Sequence, residues 1–131
     1  MAAMPDAVQL GIRHMRLTHD DYRMNRGLAG RRWLDRATHA GIFRILVPGA
    51  RRMMQARGIR HTEFVFGLLQ DSHVDEPFVL KLLPELPAGD SELYSHPSLD
   101  KFKHEFDALV SPRVKEQVAR LGIQLIRYQD L

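Results

Sequence analysis

Arg57-Gly58-Ile59-Arg60-His61-Thr62-Glu63-Phe64-Val65-Phe66 is the stretch on which the fold turns. A segment with helical character leads up to Arg57, a glycine follows, and an isoleucine opens a run rich in β-branched and aromatic side chains. Glycine just past a last helical turn takes the left-handed conformation that ends a helix, and the residue after it starts an extended, buried segment. The same punctuation stands at Leu10-Gly11-Ile12-Arg13-His14 and at Leu121-Gly122-Ile123-Gln124-Leu125. One α-to-β connection is thus used three times.

Working outward, the pattern predicts strands over residues 13–17, 60–66 and 124–128, and a fourth over 91–96 entered through the turn Pro87-Ala88-Gly89-Asp90. Helices are expected over 5–10, in two pieces across 30–57, over 75–83 and over 111–121, with one or two further turns in 102–110. Pro48-Gly49 should interrupt the long segment, because proline lacks the N–H and crowds the preceding turn. Ser111-Pro112 is a helix start, a capping side chain followed by the one residue that needs no N–H at the first position. Strands separated by helices pair in parallel through right-handed crossovers, which places the chain in the α/β class. Four mainly parallel strands are few for a closed barrel. The chain therefore reads as part of a larger α/β fold or as a small complete α/β domain.

The 131 residues have room for a single domain, 1–131, and 44% hydrophobic with 27% charged content is that of a folding, water-soluble chain. Without cysteine there is no disulfide framework, thiol nucleophile or cysteine zinc site. No apolar stretch approaches the roughly 18 residues of a membrane span, and no signal-like segment opens the chain. A cytoplasmic location is expected, with peripheral attachment at an inner membrane as its extension. The net charge of +3 conceals segregation: residues 22–60 hold ten arginines and one acid, Asp35, and the remainder has an acidic excess. Such a block fits an anionic neighbour, or equally a solvated helix face. Apolar residues interleaved with Arg44, Arg51 and Arg52 suit an anionic membrane surface; nucleic acid is not expected, since a base-stacking platform is missing.

Reacting groups of α/β folds gather at the C-terminal ends of strands. The richest such end is Ser91-Glu92-Leu93-Tyr94-Ser95-His96-Pro97, where alternation puts Glu92, Tyr94 and His96 on one side and Pro97 stops the ladder. A histidine at that exit can exchange a proton near neutral pH, or it can simply cap the loop. The other six histidines form no H-x-H or H-E-x-x-H pattern, so no metal site is read from spacing. Asp20-Asp21 are adjacent loop acids, and no phosphate loop or Gly-x-Ser-x-Gly occurs.

These residues also carry a likeness. Glu92-Leu93-Tyr94-Ser95-His96-Pro97, then Glu105-Phe106-Asp107-Ala108-Leu109, then Leu121-Gly122-Ile123-Gln124-Leu125-Ile126-Arg127-Tyr128 resemble the C-terminal part of YdjC-like carbohydrate deacetylases. Phe64 to Leu69, Asp75-Glu76 and the run from Leu80 to Pro87 are similar to the hopanoid biosynthesis-associated subgroup. The resemblance implies a partial distorted (β/α) barrel, the C-terminal half of an enzyme that removes acetyl groups from N-acetylated sugars or glycolipids with a divalent metal, Mg or Zn. It implies His96 as the catalytic acid and Arg16, Phe66 and Glu92 as substrate contacts. The family's D-D-x-G and H-x-H segments have no counterpart, since Asp20-Asp21 is followed by Tyr22-Arg23. The chain is thus expected to bind no catalytic metal alone and to need a missing N-terminal half or a second copy of itself. The alternative is a noncatalytic remnant that holds a partner or an anionic membrane through its arginine-rich helix.

Overall fold

A computed structural model of the chain describes residues 8–17, 47–70 and 72–131. Much of the arginine-rich block, with the first of its two helical pieces, lies outside these residues, as do residues 5–7 of the expected helix at 5–10. Among the described residues the arrangement is mixed α/β. Residues 47–56 are helical, Pro48 and Gly49 included; what precedes residue 47, where proline would act, lies outside the described part. Then come β1 (Phe64–Phe66), α1 (Glu76–Leu82), β2 (Ser91–Leu93), α2 (Lys103–Val110) and α3 (Pro112–Arg120).

The glycine punctuation holds at the backbone. Gly58 and Gly122 have φ of 64° and 66°. After the helical residues 47–56 the Gly58 N–H donates to the Gln55 carbonyl at 3.1 Å and the Ile59 N–H to the Met54 carbonyl at 3.0 Å. After α3 the Gly122 N–H donates to Ala119 at 3.1 Å and the Ile123 N–H to Val118 at 3.1 Å. Both are paired bonds that satisfy the last helical carbonyls, and both need a left-handed residue. The helix starts are equally local in origin. The Asp75 carboxylate accepts from the Phe78 N–H at 2.9 Å, and the Ser111 hydroxyl accepts from the Val114 N–H at 3.3 Å, with Pro112 first in α3.

Pairing is parallel, as expected. β1 and β2 align Phe64 with Ser91, Val65 with Glu92 and Phe66 with Leu93. His14 forms a parallel bridge to Arg60, the Met15 N–H donating to the Arg60 carbonyl at 3.0 Å and the Arg60 N–H to the Arg13 carbonyl at 2.8 Å. The strand expected at 13–17 is thus reduced to one bridge. The one expected at 124–128 is not a strand. There the Arg127 N–H is taken by the Asp130 carboxylate at 3.0 Å, the chain turns into a short 3₁₀ helix at Tyr128–Asp130, and Leu125 is 82% exposed. A side chain that offers the backbone a local acceptor competes with the sheet ladder, and here it prevails. A closed barrel is not seen among the described residues.

Two apolar clusters hold the described parts. Phe66, Val74, Phe78, Val79, Leu82, Ala108 and Val114 unite β1 with α1, α2 and α3. Leu17, Val47, Met54 and Ile59 seat the helical residues 47–56 beside the His14–Arg60 bridge. A side chain such as Phe66, fully buried, contributes roughly 1.5–3 kcal/mol by leaving water. Among the described residues no helix is long and apolar enough to cross a membrane.

Candidate functional site at the strand ends

The C-terminal ends of β1 and β2 are held close by backbone alone. The Tyr94 N–H reaches the Phe66 carbonyl at 2.7 Å, one bond past the last paired residue. At that point the chain after β1 turns away through Gly67, whose φ is 96°. A Cβ on Gly67 would overlap the Tyr94 carbonyl oxygen, so a side chain there would force the two strand ends apart. β2 therefore ends at Leu93, and beyond the Tyr94 N–H the segment that leads to His96 leaves the ladder.

Glu105 captures the departing segment. It is fully buried. One carboxylate oxygen accepts the His96 N–H and the other the Val74 N–H, the latter at 3.2 Å. A single carboxylate in the first turn of α2 thus ties the segment after β2 to the segment before α1. Its central structural place is not evident from the sequence pattern, although Glu105 opens the Glu105-Phe106-Asp107-Ala108-Leu109 likeness. Glu105 and Ala108 sit three apart on one face of α2 and are both buried, so a glutamate spaced with a buried alanine was the available signal.

Three of the predicted residues, Arg16, Glu92 and His96, come together around β2. The Arg16 guanidinium is bonded to one oxygen of Glu92, and its carbon lies 4.8 Å from the centre of the Tyr94 ring. The Tyr128 hydroxyl donates to the other Glu92 oxygen, with the Thr62 hydroxyl at 3.5 Å. Tyr94 Oη lies 2.8 Å from His96 Nε2, the two rings meeting edge-on with centres 4.8 Å apart. Phe102 flanks His96 on a further side, at 5.9 Å. Arg16, Glu92, Tyr94 and His96 therefore form one contiguous row. His96 is exposed, Tyr94 half-buried. Phe66 is not in this row: it is fully buried in the core, where it supports β1.

The electrostatics follow the contacts. The hydrogen bond to Glu92 holds the Arg16 guanidinium above its already high ordinary pKa, against a smaller opposing effect of burial. Burial, followed by the bond to Glu92, pushes the Tyr128 phenol up from its ordinary value. An apolar groove of about 1210 Å³ opens on the other side of Glu92, with Leu86, Val118, Ile126 and Tyr128 in its wall, and does not reach His96. Among the described residues no three of His, Asp and Glu converge to hold a metal ion. His19, Asp20, Asp21 and His39 lie outside those residues.

The sequence pattern of the family described as YdjC-like protein matches residues 3–120. No curated protein and no solved structure matches the chain.

Proposed function

Because the chain belongs to the YdjC-like family, we propose that it supplies the proton-donating side of a carbohydrate N-deacetylase. The reaction is hydrolysis of an acetamide on an N-acetylglucosamine-type sugar, giving the free amine and acetate. The subgroup likeness of residues 64–87 favours a hopanoid glycolipid as that substrate. The observation that carries the reading is the placement of His96, exposed at the exit of β2 and bonded through Nε2 to Tyr94. An imidazolium in that position can protonate an amine as it leaves. Arg16, half-exposed and steadied by Glu92, offers donors to sugar hydroxyls or to the acetyl oxygen.

The family is metal-dependent in general, and the described residues do not fit a divalent metal. In the proposal, the groups that activate water come from a polypeptide segment other than those described, completing a (β/α) barrel of which this chain forms the C-terminal half.

The test is reconstitution with the metal-binding half of a YdjC-like relative and measurement of acetate release from N-acetylglucosaminyl lipid and from the free sugar. Replacing His96→Ala should lower turnover by roughly 100-fold, the usual scale for a general acid, with the variant's melting unchanged. Full turnover in a folded His96→Ala complex would refute the assignment.

A further inference from the structure

The contact between Tyr94 and His96 leaves one of the two ring nitrogens committed and the other available. Nε2 lies 2.8 Å from Tyr94 Oη. Nothing comparable holds Nδ1 among the hydrogen bonds of the described residues, and the ring is exposed. We propose that Tyr94 is the positioning residue of His96, and that it fixes Nδ1 as the nitrogen that exchanges a proton with a ligand. The inference deepens the deacetylase reading and rests on it for its chemical consequence.

The direction of the bond in the neutral ring follows from the neighbours. A phenol is a good donor and a poor acceptor, and an unprotonated imidazole nitrogen is a strong acceptor. The Arg16 guanidinium over the Tyr94 ring, 4.8 Å from its centre, draws on the negative face of the ring and strengthens the hydroxyl further as a donor. Glu92 keeps Arg16 there. Neutral His96 therefore accepts from Tyr94 at Nε2 and carries its hydrogen on Nδ1. Two further contacts hold the ring at this angle: the His96 N–H is anchored on Glu105, and Phe102 lies on a further side of the ring at 5.9 Å.

A tyrosine suits a proton donor because its hydroxyl can turn. In the imidazolium both nitrogens carry hydrogens, and Nε2–H then donates to Tyr94 Oη, which accepts. The Nδ1–H proton passes to the leaving nitrogen, whose lone pair forms the new N–H bond; the electrons of the broken bond stay on the ring. The immediate product is neutral imidazole with its hydrogen on Nε2, still bonded to Tyr94; exchange with water, one proton gained at the exposed Nδ1 and one lost from Nε2, restores the Nδ1–H resting form in which Tyr94 donates. A carbonyl in the same place could only accept and would not serve both states.

The tautomer is read by long-range proton–nitrogen correlation on the labelled full chain in mildly alkaline buffer, without any activity. The expected result is an Nδ1–H pattern for His96, and a shift towards the Nε2–H pattern in Tyr94→Phe, which keeps the ring packing. Arg16→Gln should shift His96 in the same sense by a smaller amount. A wild-type His96 already in the Nε2–H form, or a pattern unmoved by Tyr94→Phe, would overturn the proposal. Failure of the deacetylase reading shows elsewhere, as absence of acetate release from the reconstituted wild type.

Discussion

Replacing Glu105 by alanine should destabilise the protein by roughly 3–5 kcal/mol. Hydrogen bonds to a charged group contribute about 1.5–3 kcal/mol each, and an unsatisfied buried donor costs about 1–3 kcal/mol. Glu105 receives two backbone N–H groups, those of Val74 and His96, and is itself fully buried. Against this stands relief of the cost of burying a carboxylate. That relief is outweighed, because the two donors stay behind with no acceptor in reach. The Val74 donor is buried and the His96 donor only partly so, which lets water recover some of the second bond and argues for the lower part of the range. Glu105→Gln should lie between wild type and alanine: its carbonyl keeps one N–H, while its NH₂ turns a donor towards the other. Urea unfolding followed by circular dichroism checks this. At slopes of about 1–3 kcal/mol/M, the alanine midpoint should fall by about 2 M with its slope unchanged. An alanine variant within about 0.5 kcal/mol of wild type, or a glutamine variant equal to wild type, would refute the two-acceptor account.

Gly67→Ala should lower the melting temperature by roughly 10 °C, because it adds both a strained positive φ of 96° and an overlap with the Tyr94 carbonyl. Gly58→Ala, where a Cβ meets open space at φ 64°, should cost only about 1 kcal/mol; equal melting of the two variants would refute the close approach at Gly67. A pH titration of stability tests the raised Tyr128 phenol. The elevated folded-state value means the contribution is fully present below the ordinary tyrosine pKa and is lost as pH rises through the folded value. Tyr128→Phe should flatten that alkaline loss, and an unchanged alkaline slope would count against the burial of Tyr128 beside Glu92.

What the sequence determined by itself was short-range chemistry. Asp75 and Ser111 cap helices because an oxygen sits three residues before an N–H that lacks a partner, and Gly58 and Gly122 end helices because a left-handed residue is needed at that step. Parallel pairing followed from the order of the elements. The placement of Glu92, Tyr94 and His96 on one side of a strand end was legible too, since alternation along β2 and the position of Pro97 depend only on neighbours in the chain. The tertiary structure decided whatever depends on a distant partner. Residues 124–128 follow their glycine-isoleucine connection as a strand would, yet no strand of the described residues comes to pair with them, and the Arg127 N–H turns to Asp130 instead. Phe66 stands at a strand end, yet packing of α1, α2 and α3 closes over it. Glu105, a charged residue, is buried because two backbone donors, from segments on either side of α1, converge on it. The bond between Arg16 and Glu92 joins residues 76 positions apart. A one-dimensional pattern reports the propensity of each residue and carries no record of which donor, acceptor or apolar face the folded chain will bring against it.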